Sequence, residues 1–326
     1  MKECKHITSA CGLANLGNTC YINTALQCIA HSSHLRKCIQ EKQQHHYMYR
    51  LLANVLNNIW TPGYGTVVSP DEFVKGCHHT MASVITPHRQ HDITEFVMTL
   101  FNLGSGATAN TNVVPRNSEK NPVDLMVARI QASYKDNATA NSPLGQCVAM
   151  QTVAQMNCGA CAKKEHRFEH TSILFVPPIH RETLSHCINK TFECETTTDW
   201  TCDHCKMCKP SKLSRKVTVL PKVLIVAINR FDANMDKVKD QVLIEFDLDL
   251  SHQTILMSRS KTKKYRLSSI ACHSGSGLHY GHYYAIALCG NEWVRYDDDS
   301  KMTETHECGG FMSRDAYLAM YELVEV

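Results

Sequence analysis

The most constraining feature of this sequence is a cysteine that follows a turn and opens an apolar helical pattern. Residues 12–27 read GLANLGNTCYINTALQ, and the positions before Cys20 are rich in glycine and asparagine. The residues after it have the spacing of one buried helix face: Ile22, Ala25, Leu26 and Ile29. Cys20 is therefore predicted at or just before a helix N-terminus, where unpaired N–H groups and the helix dipole favour a thiolate. A buried structural thiol is the alternative.

A second cluster, residues 273–299, supplies a proton carrier for such a thiolate. It reads HSGSGLHYGHYYAIALCGNEWVRYDDD, in which HYYAIAL has the composition of a strand and residues 274–281 are predicted to form a mobile loop. A turn at 289–291 would pair this strand with a second one that ends at Asp297. Asp297 would then orient His282, and both would serve Cys20 as in a nucleophile–base–carboxylate triad. His273 and His279 are competing histidines.

These two segments resemble the cysteine and histidine boxes of the ubiquitin-specific proteases, which are papain-like cysteine deubiquitinases. A third segment, RQHDITEF at 89–96, resembles the family's Gln-Gln-Asp motif, with His91 where a second glutamine is usual. The end of the chain, GGFMSRDAYLAMYEL, is similar to the family's last strand. The resemblance implies a cysteine-type hydrolase that cleaves the (iso)peptide bond after the C-terminal Gly-Gly of ubiquitin.

The resemblance also implies roles for residues around the reacting bond. Asn15 is expected to donate to the oxyanion beside the Cys20 backbone N–H, although a plain turn asparagine is the alternative. Asp298 competes with Asp297, since adjacent strand residues point to opposite faces; the match favours Asp297 as orienter, with Asp298 supporting the oxyanion region or the base. The expected substrate contacts are Gln90, Asp92, Glu95 and Tyr283.

Asp92 and Glu95 have a second interpretation. Asp92-x-x-Glu95 before an apolar run is a helix cap with an acidic first turn. The resemblance places the same carboxylates at the mouth of the cleft, where they would pair with the arginines of ubiquitin's tail. The two interpretations are compatible.

Two C-x-x-C pairs predict a structural zinc site. Cys158 and Cys161 are separated from Cys202 and Cys205 by 40 residues, and four thiolates at this local spacing can close tetrahedrally around Zn²⁺. The alternatives are a redox C-x-x-C, or His204 or Cys208 in place of Cys205. No other cofactor is implied.

The order of the elements predicts an α+β fold with the active site in a cleft. Helical patterns come first, including a helix start at Ser69-Pro70-Asp71-Glu72 with proline at N1, and strands dominate from about residue 144. In the resembled family this is one papain-like catalytic domain, here 1–326. It would comprise a mainly helical thumb (12–103), flexible loops with a short helix (104–143), zinc-binding β fingers (144–220) and a β palm with the histidine box (221–326).

Composition excludes several other classes. The net charge is only +3, and no basic run suggests a nucleic-acid partner. The chain has 17 cysteines but no apolar leader, and its longest aliphatic run is too short to span a membrane, so cytosol or nucleus is expected. Ubiquitin or ubiquitinated proteins are the expected partners. The alternatives are a ubiquitin-like modifier as substrate, an inactive ubiquitin-binding scaffold, and a zinc-ribbon nucleic-acid adaptor.

Overall fold

The helices lie mostly in the first half of the chain. The structure, a computed structural model, describes residues 10–61, 67–104, 122–135, 138–161, 163–234, 236–255, 262–277 and 280–324. Within these ranges the helices are α1 (Cys20–Ala30), α2 (Ser33–Lys42), α3 (Tyr47–Trp60), α4 (Asp71–Thr80), α5 (Ile93–Asn102), α6 (Pro122–Lys135), α7 (Ala138–Asn141), α8 (Gly145–Val148) and α9 (Leu184–Thr191). None of the helices described is both long and apolar enough to cross a membrane.

Strands dominate after residue 149, as expected. The first eight strands are β1 (Gly12–Leu13), β2 (Val67–Val68), β3 (Met150–Asn157), β4 (Lys164–Thr171), β5 (Leu174–Val176), β6 (Glu182–Thr183), β7 (Glu195–Thr197) and β8 (Ser211–Val219). The others are β9 (Val223–Ile228), β10 (Val242–Glu245), β11 (Asp247–Asp249), β12 (Lys264–Gly277), β13 (Tyr280–Cys289), β14 (Glu292–Asp297), β15 (Ser300–Thr303), β16 (Gly310–Ser313) and β17 (Ala316–Leu323). The α+β prediction is confirmed.

Two sheets position the chemistry. The larger has the order β15-β14-β13-β12-β17-β9-β5, with β11 paired to β12, and the smaller has the order β4-β3-β8-β7. A three-stranded sheet, β16-β10-β6, and the short parallel pair β1-β2 complete the topology of the described residues. The histidine box lies in the large sheet, and the first C-x-x-C pair lies in the connection between β3 and β4 of the small one.

Helix α1 runs through the centre of the first core. It begins at Cys20, as predicted, but all eleven of its residues are buried, whereas one buried face was expected. The difference arises because α1 packs against β12, β13 and β14 of the large sheet while α2, α3 and α5 contact it as well. A helix that is enclosed by a sheet and other helices has no solvent face.

The predicted hairpin of the histidine box is confirmed. Strands β13 and β14 pair antiparallel, with Cys289 opposite Glu292 and Ala285 opposite Tyr296. The segment 274–281 differs from the predicted loop, because β12 continues to Gly277 and β13 begins at Tyr280, with a register shift between Ser274 and Gly277. Backbone pairing therefore extends into the glycine-rich region.

Two other local predictions need comment. Helix α4 begins at Asp71, so Pro70 is its N-cap residue and not its first helical residue. The expected flexible loop over 104–122 falls almost wholly on 105–121, outside the described residues, and His279 is outside them too. Within the expected loop region 104–143, most of the described residues form α6 and α7.

Candidate active site

The structure brings the three predicted triad residues together. Nε2 of His282 lies 2.5 Å from Oδ1 of Asp297, and the interaction with the Cys20 thiol is the largest cause of the raised pKa of the same imidazole. Since Nε2 is engaged by the carboxylate, Nδ1 is the ring nitrogen that remains for Cys20. Cys20 is the first residue of α1, and the other two residues lie on adjacent strands β13 and β14. Residues more than 260 positions apart in the sequence thus meet at one site.

The electrostatics of this chain favour a charged imidazole. The hydrogen bond with Cys20 raises the pKa of His282 to about 9; partial burial opposes this shift, and the hydrogen bond with Asp297 supports it. Partial burial raises the pKa of Asp297, but hydrogen bonds from His282 and Arg295 outweigh it and leave that pKa below its ordinary value. Asp297 is therefore an ionised partner for an imidazolium.

The turn before Cys20 is fixed by backbone geometry that its residue types permit. Gly17 and Asn18 have φ values of +96° and +55°, in the left-handed region that glycine and asparagine tolerate best. Gly12 lies against the backbone that follows β14, where a Cβ atom would come within 2.5 Å of the carbonyl oxygen of Asp299. Close approach at Gly12 allows the cysteine box to touch the histidine box.

Asp298 serves the other side of the site. Its Oδ2 accepts a hydrogen bond from Nδ2 of Asn15 at 2.7 Å, and its Oδ1 accepts one from Nδ2 of Asn23 at 2.8 Å. Asn15 Oδ1 in turn accepts the backbone N–H of Gly17 at 2.9 Å. Asp298 thus holds the asparagine that precedes Cys20, while Asp297 holds the histidine.

Asn23 and Arg295 were missed by sequence reasoning. Asn23 is buried in α1, one turn after Cys20, and a polar residue inside an otherwise enclosed helix needs a partner. Arg295 precedes Asp297 by two residues and therefore points to the same face of β14, and its Nη2 lies 2.7 Å from Asp297 Oδ2. The spacing of Arg295 from Asp297 can be read from the sequence, whereas the burial of Asn23 depends on the enclosure of α1.

The third motif supplies a helix cap beside the cleft. Oδ1 of Asp92 accepts the backbone N–H groups of Thr94 and Glu95 at 2.7 and 3.2 Å, and Oδ2 accepts the hydroxyl of Tyr317. The cap interpretation is confirmed, and it engages both carboxylate oxygens of Asp92. Glu95 is exposed, and Asp92 and Glu95 line an open cavity of about 340 Å³ together with Tyr317.

Gln90 and Tyr283 have opposite environments. Nε2 of Gln90 is buried and has no hydrogen-bond partner among the described residues. Tyr283 is fully buried against the rings of His273 and Tyr317, because it alternates with His282 on β13 and points to the opposite face. Its side chain therefore does not reach the cleft, and we do not retain it as a substrate contact.

His273 does not compete for the role of base. It is fully buried, and both of its ring nitrogens lack a hydrogen-bond partner among the described residues. Burial lowers its pKa to about 4, and the Lys237 charge adds to the effect. Gly281 leaves room for this ring, because a Cβ there would lie 2.3 Å from His273 Nε2.

The four predicted zinc ligands meet at one end of the smaller sheet. Their Sγ atoms all lie within 4.8 Å of one another, with Cys158–Cys205 at 3.7 Å and Cys161–Cys202 at 3.8 Å. Four sulfurs about 2.3 Å from a tetrahedral Zn²⁺ would be separated by about 3.8 Å. The cluster can therefore hold a metal ion of this size.

Among the alternatives, Cys208 is engaged elsewhere, with its Sγ 3.1 Å from the carbonyl oxygen of Thr198. Among the described residues, His204 is not part of any cluster of side chains that could hold a metal ion. The four-cysteine set is thus the arrangement that the structure supports.

The sequence model of the family described as ubiquitin carboxyl-terminal hydrolase matches residues 11–321, nearly the whole chain. The chain belongs to the ubiquitin carboxyl-terminal hydrolase family. The matched segment contains the cysteine box, the Asp92 motif, both C-x-x-C pairs and the histidine box. The resemblance drawn from those motifs is confirmed.

Curated members of the ubiquitin carboxyl-terminal hydrolase family share about a quarter of the aligned residues. The chain is 26% identical to the human ubiquitin carboxyl-terminal hydrolase 21 over 353 residues, which covers 96% of this chain and 61% of that protein. It is 25% identical to ubiquitin carboxyl-terminal hydrolase 5 of Saccharomyces cerevisiae, covering 96% of this chain and 44% of that one. The chain thus spans roughly half the length of these relatives.

Solved structures support the family fold. A chain of the SAGA DUB module bound to monoubiquitin superposes with a TM-score of 0.72 at 17% identity, covering 100% of this chain and 72% of that chain. The module bound to ubiquitin aldehyde gives 0.71 at 16% identity, covering 99% and 71%. At this identity the likeness establishes the papain-like α+β fold of the family.

Proposed function

We propose that this chain is a thiol-dependent deubiquitinase that hydrolyses the (iso)peptide bond after the C-terminal Gly-Gly of ubiquitin. The observation that carries the proposal is the grouping of Cys20 with the hydrogen-bonded pair His282–Asp297 in a member of the ubiquitin carboxyl-terminal hydrolase family. The two similar modules are described as bound to monoubiquitin and to ubiquitin aldehyde, which favours ubiquitin as the ligand.

In the first half of the reaction, the Cys20 thiolate attacks the carbonyl carbon of the terminal glycine. His282, which carries a proton at neutral pH because its pKa is raised to about 9, gives that proton to the leaving lysine amine. Asp297 holds the imidazole through Nε2 and stabilises its charge. The C–N bond breaks, and ubiquitin remains attached to Cys20 as a thioester.

The oxyanion that forms in this step needs hydrogen-bond donors. Asn15 Nδ2 has two hydrogens; one is donated to Asp298, and the other is available for the oxyanion beside the Cys20 backbone N–H. Asp298, held by Asn23 as well, fixes the orientation of this amide before substrate arrives. A donor that is oriented in advance costs no reorganisation during the reaction.

In the second half, neutral His282 removes a proton from water, and the hydroxyl oxygen attacks the thioester carbonyl. The C–S bond breaks, the ubiquitin carboxylate leaves, and Cys20 returns to its thiolate form paired with the protonated histidine. The same Asn15 donor serves the second tetrahedral intermediate. Acylation and deacylation thus use one set of residues in reversed proton roles.

The tail of ubiquitin would lie beside the start of α5. Glu95 is exposed there, and an exposed carboxylate can pair with an arginine of the tail. Asp92 already accepts hydrogen bonds with both oxygens, so its contribution would be its charge and its support of Tyr317 and the helix start. Gln90 adds a buried amide donor that is unpaired among the described residues.

Zinc is the proposed occupant of the four-cysteine cluster. Cys158, Cys161, Cys202 and Cys205 would supply all four ligands, which leaves no open position for chemistry, so the metal would be structural. The segment between the two pairs includes β4 and β7, whose residues are mostly half-buried or exposed. We assign residues 12–103 mainly to the thumb, 144–220 mainly to the fingers and 221–326 mainly to the palm of one catalytic domain; within 144–220, β5 pairs with β9 and so belongs to the large sheet.

The location follows from the chemistry. A nucleophilic thiol and a zinc-thiolate cluster both require reduced cysteines, so we place the protein in the cytosol or the nucleus. A ubiquitin-like modifier with a Gly-Gly tail is the alternative substrate, because the catalytic residues described here act on the tail. An inactive scaffold is disfavoured by the intact Cys20–His282–Asp297 chain.

The proposal is tested with ubiquitin that bears a C-terminal fluorophore, beside ubiquitin-like proteins with the same group. We expect the purified chain to release the fluorophore from ubiquitin, and Cys20→Ala to bind ubiquitin without releasing it. Preferential cleavage of a ubiquitin-like protein would show that ubiquitin is not the substrate. Turnover by Cys20→Ala equal to that of the parent would show that Cys20 is not the nucleophile.

A further inference from the structure

The carboxylate of Asp297 has a second partner besides the catalytic histidine. Its Oδ1 faces His282 Nε2 at 2.5 Å, and its Oδ2 lies 2.7 Å from Nη2 of Arg295. The carboxylate is therefore held at both oxygens, and its rotation about the side-chain bonds is restricted on both sides. The side chains of Arg295 and Asp297 are each about one-third exposed, so this is a partly desolvated ion pair.

Arg295 is itself held in place. The centre of its guanidinium group lies 3.8 Å from the ring centroid of Tyr284, within the range of a close cation–π contact. Tyr284 is two residues after His282 on β13, and Arg295 is two residues before Asp297 on β14, so all four side chains share one face of the hairpin. The hairpin aligns the ring, the guanidinium, the carboxylate and the imidazole.

We propose that Arg295 is a positioning residue for catalysis, which fixes the Asp297 carboxylate and tempers its action on the imidazole of His282. The inference deepens the proposed function and rests on it. Arg295 does not touch the thiol or the scissile bond. It acts through Asp297, and Tyr284 keeps it in the required orientation.

Two effects of opposite sign follow from this position. Holding Asp297 keeps His282 in the rotamer that faces Cys20, and this favours the reaction. The positive charge of Arg295 also offsets part of the carboxylate's negative charge, and this weakens the stabilisation of the imidazolium. Loss of Arg295 should therefore slow turnover while it raises the pKa of His282.

The surroundings of His282 allow this electrostatic effect to be isolated. Among the described residues, the titratable groups that interact with the imidazole or lie beside it are Cys20 on α1, His273 on β12, and Asp297 and Asp298 at the end of β14. His273 is neutral at physiological pH because its pKa lies near 4, and Asp298 is engaged by two asparagine amides. Removal of the Arg295 charge is thus the main change in an Arg295 variant.

The test compares Arg295→Met with Arg295→Lys. Methionine retains an unbranched chain over the Tyr284 ring but removes the charge, whereas lysine retains the charge and can reach Asp297. Arg266→Met is the matched control. Arg266, near the start of β12, forms a more exposed ion pair with Asp247 on β11. Thermal unfolding of each variant shows whether it is folded.

The measurements are kcat and KM on the ubiquitin fluorophore substrate, and the titration of His282 by NMR with labelled histidine, assigned with His282→Gln. In Arg295→Met we expect kcat to fall about 10- to 100-fold, as for outer-shell partners at metal sites, with KM little changed and the His282 pKa raised. Arg295→Lys should recover most of both properties, and Arg266→Met should match the parent.

Two results would overturn the inference: kcat and His282 pKa in Arg295→Met equal to those of the parent, or an equal loss in Arg295→Lys with no change in the pKa. If Arg295→Met fails to fold, Arg295→Gln, which also removes the charge but keeps a polar side chain at this partly exposed position, takes its place with the same expected and contradicting results. The titration needs no substrate, so a parent that does not hydrolyse ubiquitin but whose His282 responds to Arg295 contradicts the proposed function and leaves this inference intact.

Discussion

Asn15 donates a hydrogen bond from Nδ2 to Oδ2 of Asp298 at 2.7 Å, across 283 residues of sequence. This contact joins the turn before the nucleophile to the residue that follows the triad carboxylate. The two consecutive aspartates therefore have separate partners: Asp297 contacts the imidazole, and Asp298 contacts the asparagines. The positive φ of Asp298, +50°, allows the chain to turn between these two orientations.

This separation predicts different effects for Asp297→Asn and Asp298→Asn. Asparagine is nearly isosteric and tolerates a positive φ, so both variants should fold. Asp297→Asn should reduce kcat by orders of magnitude and lower the His282 pKa, because the imidazole loses its charged partner. Asp298→Asn should cost about 100-fold or less, by misplacing Asn15, with the His282 pKa near that of the parent.

The measurements are kcat on ubiquitin fluorophore substrate and NMR titration of His282. A reversed pattern would make Asp298 the third member of the triad.

The raised pKa of His282 predicts the alkaline limit of activity. Its hydrogen bond with Cys20 is the largest cause of a pKa of about 9, so the imidazolium persists through neutral pH. We expect kcat/KM to decline as the pH rises through about 9, because the leaving amine loses its proton donor. In Cys20→Ala the NMR pKa of His282 should fall; an unchanged value would show that the thiol is not its partner.

Much of this site was predictable because its elements follow local rules. Cys20 was placed at a helix start by the glycines and asparagines before it, and His282 and Asp297 were paired by two strands and a short Gly-Asn turn. Strand alternation puts the Tyr283 side chain on the face opposite His282 and away from the cleft, a placement that a motif match does not report.

The remaining differences depend on tertiary packing. The residues of α1 that lie off its apolar stripe are buried because sheet and helices enclose it, and no helical period reports such neighbours. Asn23 and Arg295 become meaningful only once Asp298 and Asp297 are placed beside them. Pro70 shows the smaller error of one residue that is usual at helix ends.

The four-cysteine cluster predicts loss of metal on substitution. Cys161→Ser and Cys202→Ser should each release about one zinc per chain and destabilise the small sheet, since a structural zinc site contributes roughly 10 kcal/mol or more to local folding. Cys208→Ser is the matched control, because Cys208 bonds to a backbone carbonyl outside the cluster. Metal analysis checks the stoichiometry, and freshly purified parent protein without zinc would contradict the assignment.

The geometry at the start of α5 predicts that Asp92 contributes to stability whereas Glu95 contributes to substrate binding. Asp92→Ala should lower the free energy of unfolding by about 1–2 kcal/mol through loss of the helix cap, with a further cost from the unpaired Tyr317 hydroxyl. Glu95→Gln, at an exposed position, should leave stability unchanged and raise KM for ubiquitin. Chemical denaturation measures the stability of both variants, and steady-state kinetics measures their KM. An unaltered KM in Glu95→Gln would contradict the predicted contact between Glu95 and the ubiquitin tail.

The most direct test of the account uses ubiquitin whose C-terminal carboxylate is replaced by a thiol-reactive alkyne. The parent should gain the mass of one ubiquitin, and digestion should place the new thioether on Cys20 alone among the cysteines. Cys20→Ala should form no adduct. His282→Gln should react slowly, because this variant retains Cys20 but lacks the base. No adduct with the parent, or an adduct of equal yield in Cys20→Ala, would contradict the claim that Cys20 attacks the ubiquitin tail.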